Sequence, residues 1–208
     1  MTQATDYPDD AKRDLSISMA QANLYGIGLM IPAALLLALP YVALWGWAAL
    51  GNAWNTTLAL DNIPVALGVF AVGIVLHELI HGLSWMYFGK KPRSAITYGF
   101  KLKTLTPYAH CVEPMDVRAY RLGAAMPGLL LGVVPWLAGV ATGHGSVLIF
   151  GFIFTLAALG DAMILWLIRG VAPGSLVLDH PTQAGCYVID PNSREEGEGK
   201  DSMIEDRG

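Results

Sequence analysis

The sequence predicts an all-α membrane protein: four transmembrane helices with a small extended, β-type cytoplasmic element. Three observations lead to that class. Of 208 residues, 54% are hydrophobic and only 14% charged, with a mean hydropathy of +0.46, too apolar for an ordinary soluble domain of this length. Between Asp14 and Asp61 there is no Asp, Glu, Lys or Arg, and about 20 apolar residues carry a helix across a bilayer core. Finally, lysine and arginine fall on alternate connections between the apolar runs, as they do in multi-pass membrane proteins.

Taken in order, the spans are expected at about Leu24 to Leu50, Ile63 to Phe88, Leu122 to Thr142 and Ser146 to Ile168. Pro32 and Pro40 fall within the first and Pro127 and Pro135 within the third, where kinks are expected. A signal peptide fits poorly, because acids outnumber Lys12 and Arg13 before the first span and the apolar run is too long. Lys12 and Arg13 precede span one; Lys90, Lys91, Arg93, Lys101, Lys103, Arg118 and Arg121 lie between spans two and three; Arg169 follows span four. Residues 51–62 and 143–145 carry none. Both termini are therefore expected in the cytoplasm of a cell-membrane protein.

Outside the spans, Ser94 to Glu113 combines Ile, Thr, Tyr and Phe with Gly99 and Pro107, as a strand or hairpin does, and Ser175 to Ile189 reads the same way about Pro181 and Gly185. The two are expected to form a small sheet capping the membrane domain. Residues 1–23 read as a cytoplasmic N-terminal segment, 24–190 as the four-span domain, and 191–208, polar and charged, as a disordered tail. The net charge of -4 gives no basis for nucleic acid as a partner; the lipid bilayer is the expected one. Cys111 and Cys186 are too few for a disulfide framework and lack CxxC spacing, so they read as ordinary small side chains in a reducing compartment.

The chemistry concentrates at His77, Glu78, Leu79, Ile80 and His81, two imidazoles and a carboxylate inside an apolar run. Four apart on a helix, the histidines share one face and can offer ring nitrogens to one tetrahedral ion, with Glu78 beside it to take a proton from water. Catalytic zinc normally has three protein ligands, so one remains to be found. Asp161 is the only formally charged residue between Arg121 and Arg169, and an ionisable group within a span is a functional candidate by default. At 1.5 Å per residue, the middle of HELIH lies about 14 Å from the end of span two, and Asp161 about 12 Å from the end of span four. The alternating topology makes those ends cytoplasmic, so the levels match. Asp161 and Glu78 would also offset the two charges of Zn2+. Glu113, near His110 and Cys111, is an alternative third ligand if its loop folds back. His144 and His180 read as surface histidines.

These residues resemble the intramembrane zinc metallopeptidases of the site-2 protease type. They are more closely similar to a bacterial family of small membrane proteins described as putative zincin peptidases. The resemblance is carried by His77 to Leu83 (HELIHGL), Phe88 to Lys91 (FGKK), Ala125-Met126-Pro127, Gly160-Asp161, Leu178-Asp179 and Tyr187-Val188. It covers roughly residues 70–190. It implies His77, His81 and Asp161 as zinc ligands and Glu78 as catalytic acid/base. One departure is that Leu159-Gly160 precedes Asp161 and Ala162 follows it, where site-2 proteases commonly have a proline or another helix breaker before the aspartate and a glycine after it. The expected activity is zinc-assisted hydrolysis of a membrane or membrane-proximal peptide, which would pair as an added strand near Thr97 to Lys103. A non-catalytic scaffold with structural zinc and a metal transporter are the alternatives; transport fits less well, because the outer halves of the spans hold few polar residues.

Overall fold

The computed structural model of the protein describes residues 12–101, 106–180 and 182–189. The expected tail beyond residue 190, the turn residue Pro181 and the strand residue Lys103 lie outside them. Four helical units are long and apolar enough to cross a membrane: 19–57, 63–88, 117–142 and 145–167.

Helix α1 runs Met19–Thr57, starting five residues before the expected Leu24, because Ser18 and Gln21 form a capping box: the Ser18 hydroxyl accepts from the Gln21 N–H at 3.2 Å and the Ser18 N–H donates to Gln21 at 3.1 Å. The backbone stays helical through Pro32 and Pro40. The interruption falls instead at Gly46, whose φ of 83° is open to glycine and strained for other residues. Helix α2 is Ile63–Phe88, with Pro64 in its first turn.

The third span comprises α3 (Val117–Pro127), a wider π turn over Gly128–Val133, and α4 (Val134–Thr142). Pro127 and Pro135 bracket the π turn, so the expected distortion takes the form of one wide turn, with the Val134 N–H reaching back to the Leu129 carbonyl. The fourth span is α5 (Gly145–Ala157) followed by α6 (Leu159–Leu167), separated at Ala158, which sits at φ -75°, ψ 3°. The helix break missing from the sequence near Asp161 is therefore present, made without proline. Asp161 occupies the first turn of α6.

The extended segments form two sheets rather than the single one expected. Strands β2 (Ile96–Lys101) and β3 (Thr106–Cys111) make an antiparallel hairpin. The other sheet has the order β1-β6-β5-β4, from β1 (Lys12–Ile17), β4 (Met115–Asp116), β5 (Leu176–Asp179) and β6 (Ala184–Ile189). Strand β1 lies within residues 1–23, where the sequence signalled no strand, and pairs with β6 from Lys12↔Ile189 to Ile17↔Ala184. All strands precede span one, join spans two and three, or follow span four, so they gather at one end of the bundle. There they bury Trp85, Val117, Tyr120, Ile168, Val177 and Val188 in one core.

At the other end, indole and phenol groups of the first span join spans one and three: Trp45 donates to the Val140 carbonyl at 2.8 Å and Tyr41 to the Gly143 carbonyl at 3.0 Å. Spans three and four pack backbone to backbone through small residues, the usual device where lipid removes the hydrophobic drive between helices. A Cβ on Gly151 would lie 2.1 Å from the Trp136 nitrogen. Leucines at 24, 35, 36, 44 and 67 remain 60% exposed or more, on faces suited to acyl chains.

Gly151→Ala should therefore destabilise the bundle by roughly 1–3 kcal/mol through overpacking against backbone. Gly26→Ala, with nothing within 4 Å of the added carbon, is the matched control and should hold or raise the melting temperature in detergent.

Candidate metal centre

On α2, His77 and His81 stand one turn apart and turn the same edge toward α6; their ring centroids are 4.9 Å apart. His77 Nε2 lies 3.1 Å from Asp161 Oδ2, and His81 Nε2 lies 3.3 Å from Asp161 Oδ1. The three side chains are 12%, 7% and 21% exposed. Their ligand atoms all fall within 4.8 Å of one another, the single such group of three or more metal-ligating side chains among the described residues. Zinc held at about 2.0–2.1 Å in a tetrahedron places neighbouring ligand atoms about 3.3 Å apart. The two nitrogen-to-oxygen spacings, each to a different oxygen of the carboxylate, are of that order, and the donor types, two imidazoles and one carboxylate, are those zinc accepts.

The tautomer of His81 is fixed from behind. Its Nδ1 faces the Gly123 carbonyl at 3.0 Å, and since a carbonyl only accepts, Nδ1 carries the hydrogen and Nε2 keeps its lone pair for the site. The ring plane is held by stacking on Trp85 (5.4 Å, 19°), which stacks in turn on Tyr120 (5.7 Å, 14°). Helix α3 can come this close because residue 123 is glycine: a Cβ there would lie 2.2 Å from the Trp85 indole.

Glu78 borders the same cavity, of about 580 Å3, which opens between the hairpin, the β5–β6 turn and α2, α3 and α6. The Ala109 backbone on β3 lies beside its carboxylate. The strand flanking Glu78 is thus β3, while Thr97 of β2 lines the same cavity.

Among the other candidates, Glu113 pairs with Lys91 at 3.3 Å and takes no part in the group. Asp161 does not pair with Arg169, whose guanidinium stacks on Trp166 at 4.0 Å. His144 is exposed, as expected. His180 is not a surface residue: it is 7% exposed, and its Nδ1 accepts from the Thr182 and Gln183 N–H groups at 3.1 and 2.8 Å. The sequence assigns no site role to Trp85, Gly123, Tyr120 or Asp179, the last of which enters only as part of the extended segment. Trp85 had a signal, lying four residues beyond His81 on the same helical stripe, whereas the Gly123 carbonyl had none.

The arrangement brings the two histidines of a helix-borne His-Glu-x-x-His sequence to an aspartate from a neighbouring helix, donor types suited to a metal ion. The family described as putative zincin peptidase matches residues 70–176, just over half of the chain, and the protein belongs to that family. No curated protein and no solved structure matches it.

Both cysteines are free and buried in the strand region. Burial pushes the Cys111 thiol up to about 11 and the Cys186 thiol up to about 12, above the ordinary 9.0. Below pH 9.0 the thiols are protonated in folded and unfolded chains alike; above it the unfolded thiols ionise while the folded ones resist. Thermal stability should therefore fall from pH 9.0 toward about 11 and about 12, and iodoacetamide labelling of the folded protein at pH 9.0 should be slow until it unfolds.

Proposed function

We propose that the protein is a membrane-embedded zinc metallopeptidase of the site-2 type, hydrolysing peptide bonds of membrane or membrane-proximal substrates. In this reading His77, His81 and Asp161 hold Zn2+ and Glu78 is the catalytic acid/base. The observation that carries it is the pair of Nε2-to-carboxylate spacings, 3.1 and 3.3 Å, joining two spans at one level. Burying two histidines and an acid among apolar helices is costly, and a shared cation gives each of them a partner.

When bound, zinc supplies Lewis acidity to the scissile carbonyl and makes water a better nucleophile near neutral pH. Glu78 takes one proton from the attacking water and delivers it to the leaving amine nitrogen as the C–N bond breaks. In this reading the three ligands orient the site. A helical substrate hides its carbonyls in backbone hydrogen bonds and must open locally. An opened strand would lie along the cavity-facing edge of β3, where the Ala109 and Cys111 N–H groups point away from β2 and the Cys111 N–H is taken by Asp179.

In this reading the strand-bearing end, which carries the basic residues of the connections, faces the cytoplasm, in line with the positive-inside rule. The functional unit is then residues 24–190 together with β1 and the start of α1, its site within or just beneath the cytoplasmic leaflet.

Glu78→Gln should retain zinc yet lower peptide cleavage by about 10²–10⁴-fold, as loss of a general acid/base does. His77→Ala and Asp161→Ala should lose zinc itself, measured as metal per chain after purification. Unchanged cellular function in Glu78→Gln with zinc retained would instead indicate a structural zinc in a scaffold. Gly123→Ala, which alters no ligand, should displace Trp85 and weaken zinc binding by about 10–100-fold, read by competition with a chromogenic chelator.

A further inference from the structure

We propose that the groove between α1 and α6 seats an acyl chain of an anionic phospholipid, whose phosphate is held by Arg169 at the strand-bearing end. The site rests on the placement of the four spans in a bilayer and not on the peptidase chemistry. The groove, of about 850 Å3, is lined from α1 by Leu24, Tyr25 and Gly28 and from α6 by Ala162, Met163 and Trp166. Its described lining carries no charged side chain. Leu24 and Trp166 are 67% and 64% exposed, so the groove is open on the side where acyl chains lie.

Length decides what fits. The α6 wall runs from Leu159 to Leu167, which at 1.5 Å per residue is about 12 Å. A further transmembrane helix, from a partner or another copy of the chain, needs a seat about 30 Å long, whereas one leaflet of the hydrocarbon core is about 15 Å deep. The groove therefore matches the acyl chain of a lipid in the leaflet at the strand-bearing end. Arg169 supplies the partner for the headgroup. It lies just beyond α6, its guanidinium stacks over the Trp166 ring at 4.0 Å, and one N–H donates to the Trp166 carbonyl at 2.7 Å. Among the described residues no carboxylate neutralises it, which leaves the rest of the fork for a phosphate.

The occupant bears on the metal centre through α6 itself. Ala162, Met163 and Trp166 face the groove, while Gly160, Asp161 and Ile164 of the same helix face the cavity of the metal centre. None of the nine residues of α6 is fully buried, so the helix that carries Asp161 has little protein cover. Apolar contacts from an acyl chain complete its packing and hold Asp161 toward the histidines.

The test takes the full chain, stripped of lipid in dodecyl maltoside, and titrates it with phosphatidylglycerol or phosphatidylcholine of identical acyl chains. Native mass spectrometry counts the lipid retained, and the melting temperature reports the bracing of α6. A single phosphatidylglycerol should bind about fivefold more tightly than phosphatidylcholine, the preference expected of one basic residue beside an anionic headgroup, and should raise the melting temperature. Arg169→Gln should bind both lipids alike, at the phosphatidylcholine level. Gly28→Phe, where an added Cβ meets nothing within 4 Å, should fill the groove and retain neither lipid; Gly26→Phe, equally open but outside the groove, should bind as wild type does. Equal affinities in the wild type, an unchanged preference in Arg169→Gln, or undiminished retention in Gly28→Phe would overturn the site. So would displacement of the lipid by inorganic phosphate alone, or a wild-type dimer mass that Gly28→Phe abolishes, which marks a second copy as the occupant. Protein that binds lipid as expected yet cleaves no peptide would refute the peptidase reading and leave this site standing.

Discussion

Ionisable side chains in the apolar interior of a helical bundle persist where they find partners, and in this protein that requirement is concentrated at the contact between α2 and α6. His77 and His81 project from one stripe of α2, and Asp161 meets them from the first turn of α6. For a single carboxylate to stand within 3.3 Å of both imidazoles, several parts of the backbone must be placed with little tolerance. Span four breaks at Ala158 and restarts, span three widens into a π turn alongside it, and Gly123 lets α3 press onto Trp85. The irregularities of spans three and four lie close to the polar site, where neighbouring helices cover the backbone groups that an interruption frees, while that of α1 at Gly46 lies at the far end.

The strands extend that arrangement beyond the helices. They arise from before the first span, between the second and third, and after the fourth, so the two sheets tie all four spans together at one end. Asp179 is the junction: it bonds the phenol of α3 and the backbone of β3 while standing on β5. Arg121 adds a second tie from α3 by donating to the Ile168 and Val171 carbonyls just after α6. The cavity over Glu78 consequently has a floor of helices and walls of strands, and a change in either is felt by the other.

Much of this is legible in the sequence. Span positions follow from uncharged apolar length, both extended segments from β-branched and aromatic clusters between turn residues, and the donor set from HELIH plus an isolated Asp161 at the same depth. The capping box that starts α1 early was also written there, in Ser18 and Gln21. What escaped depends on contacts distant in sequence. Strand β1 is too short and polar to announce itself, and exists because β6 offers it an edge. The break at Gly46 in place of Pro32 or Pro40, and the one at Ala158 with no proline, are set by packing. His180 looks like a turn histidine until its ring nitrogen is seen accepting two backbone N–H groups. Asp179 and the Gly123 carbonyl work only through partners 42 to 68 residues away.

The proposed convergence of α2 and α6 on one cation is tested most directly by zinc K-edge X-ray absorption on the purified protein. Two imidazole nitrogens and one or two oxygens at about 2.0–2.1 Å, with the carboxylate contribution lost in Asp161→Asn, is the expected spectrum. A sulfur shell near 2.3 Å, or an Asp161→Asn spectrum identical to wild type, would contradict it.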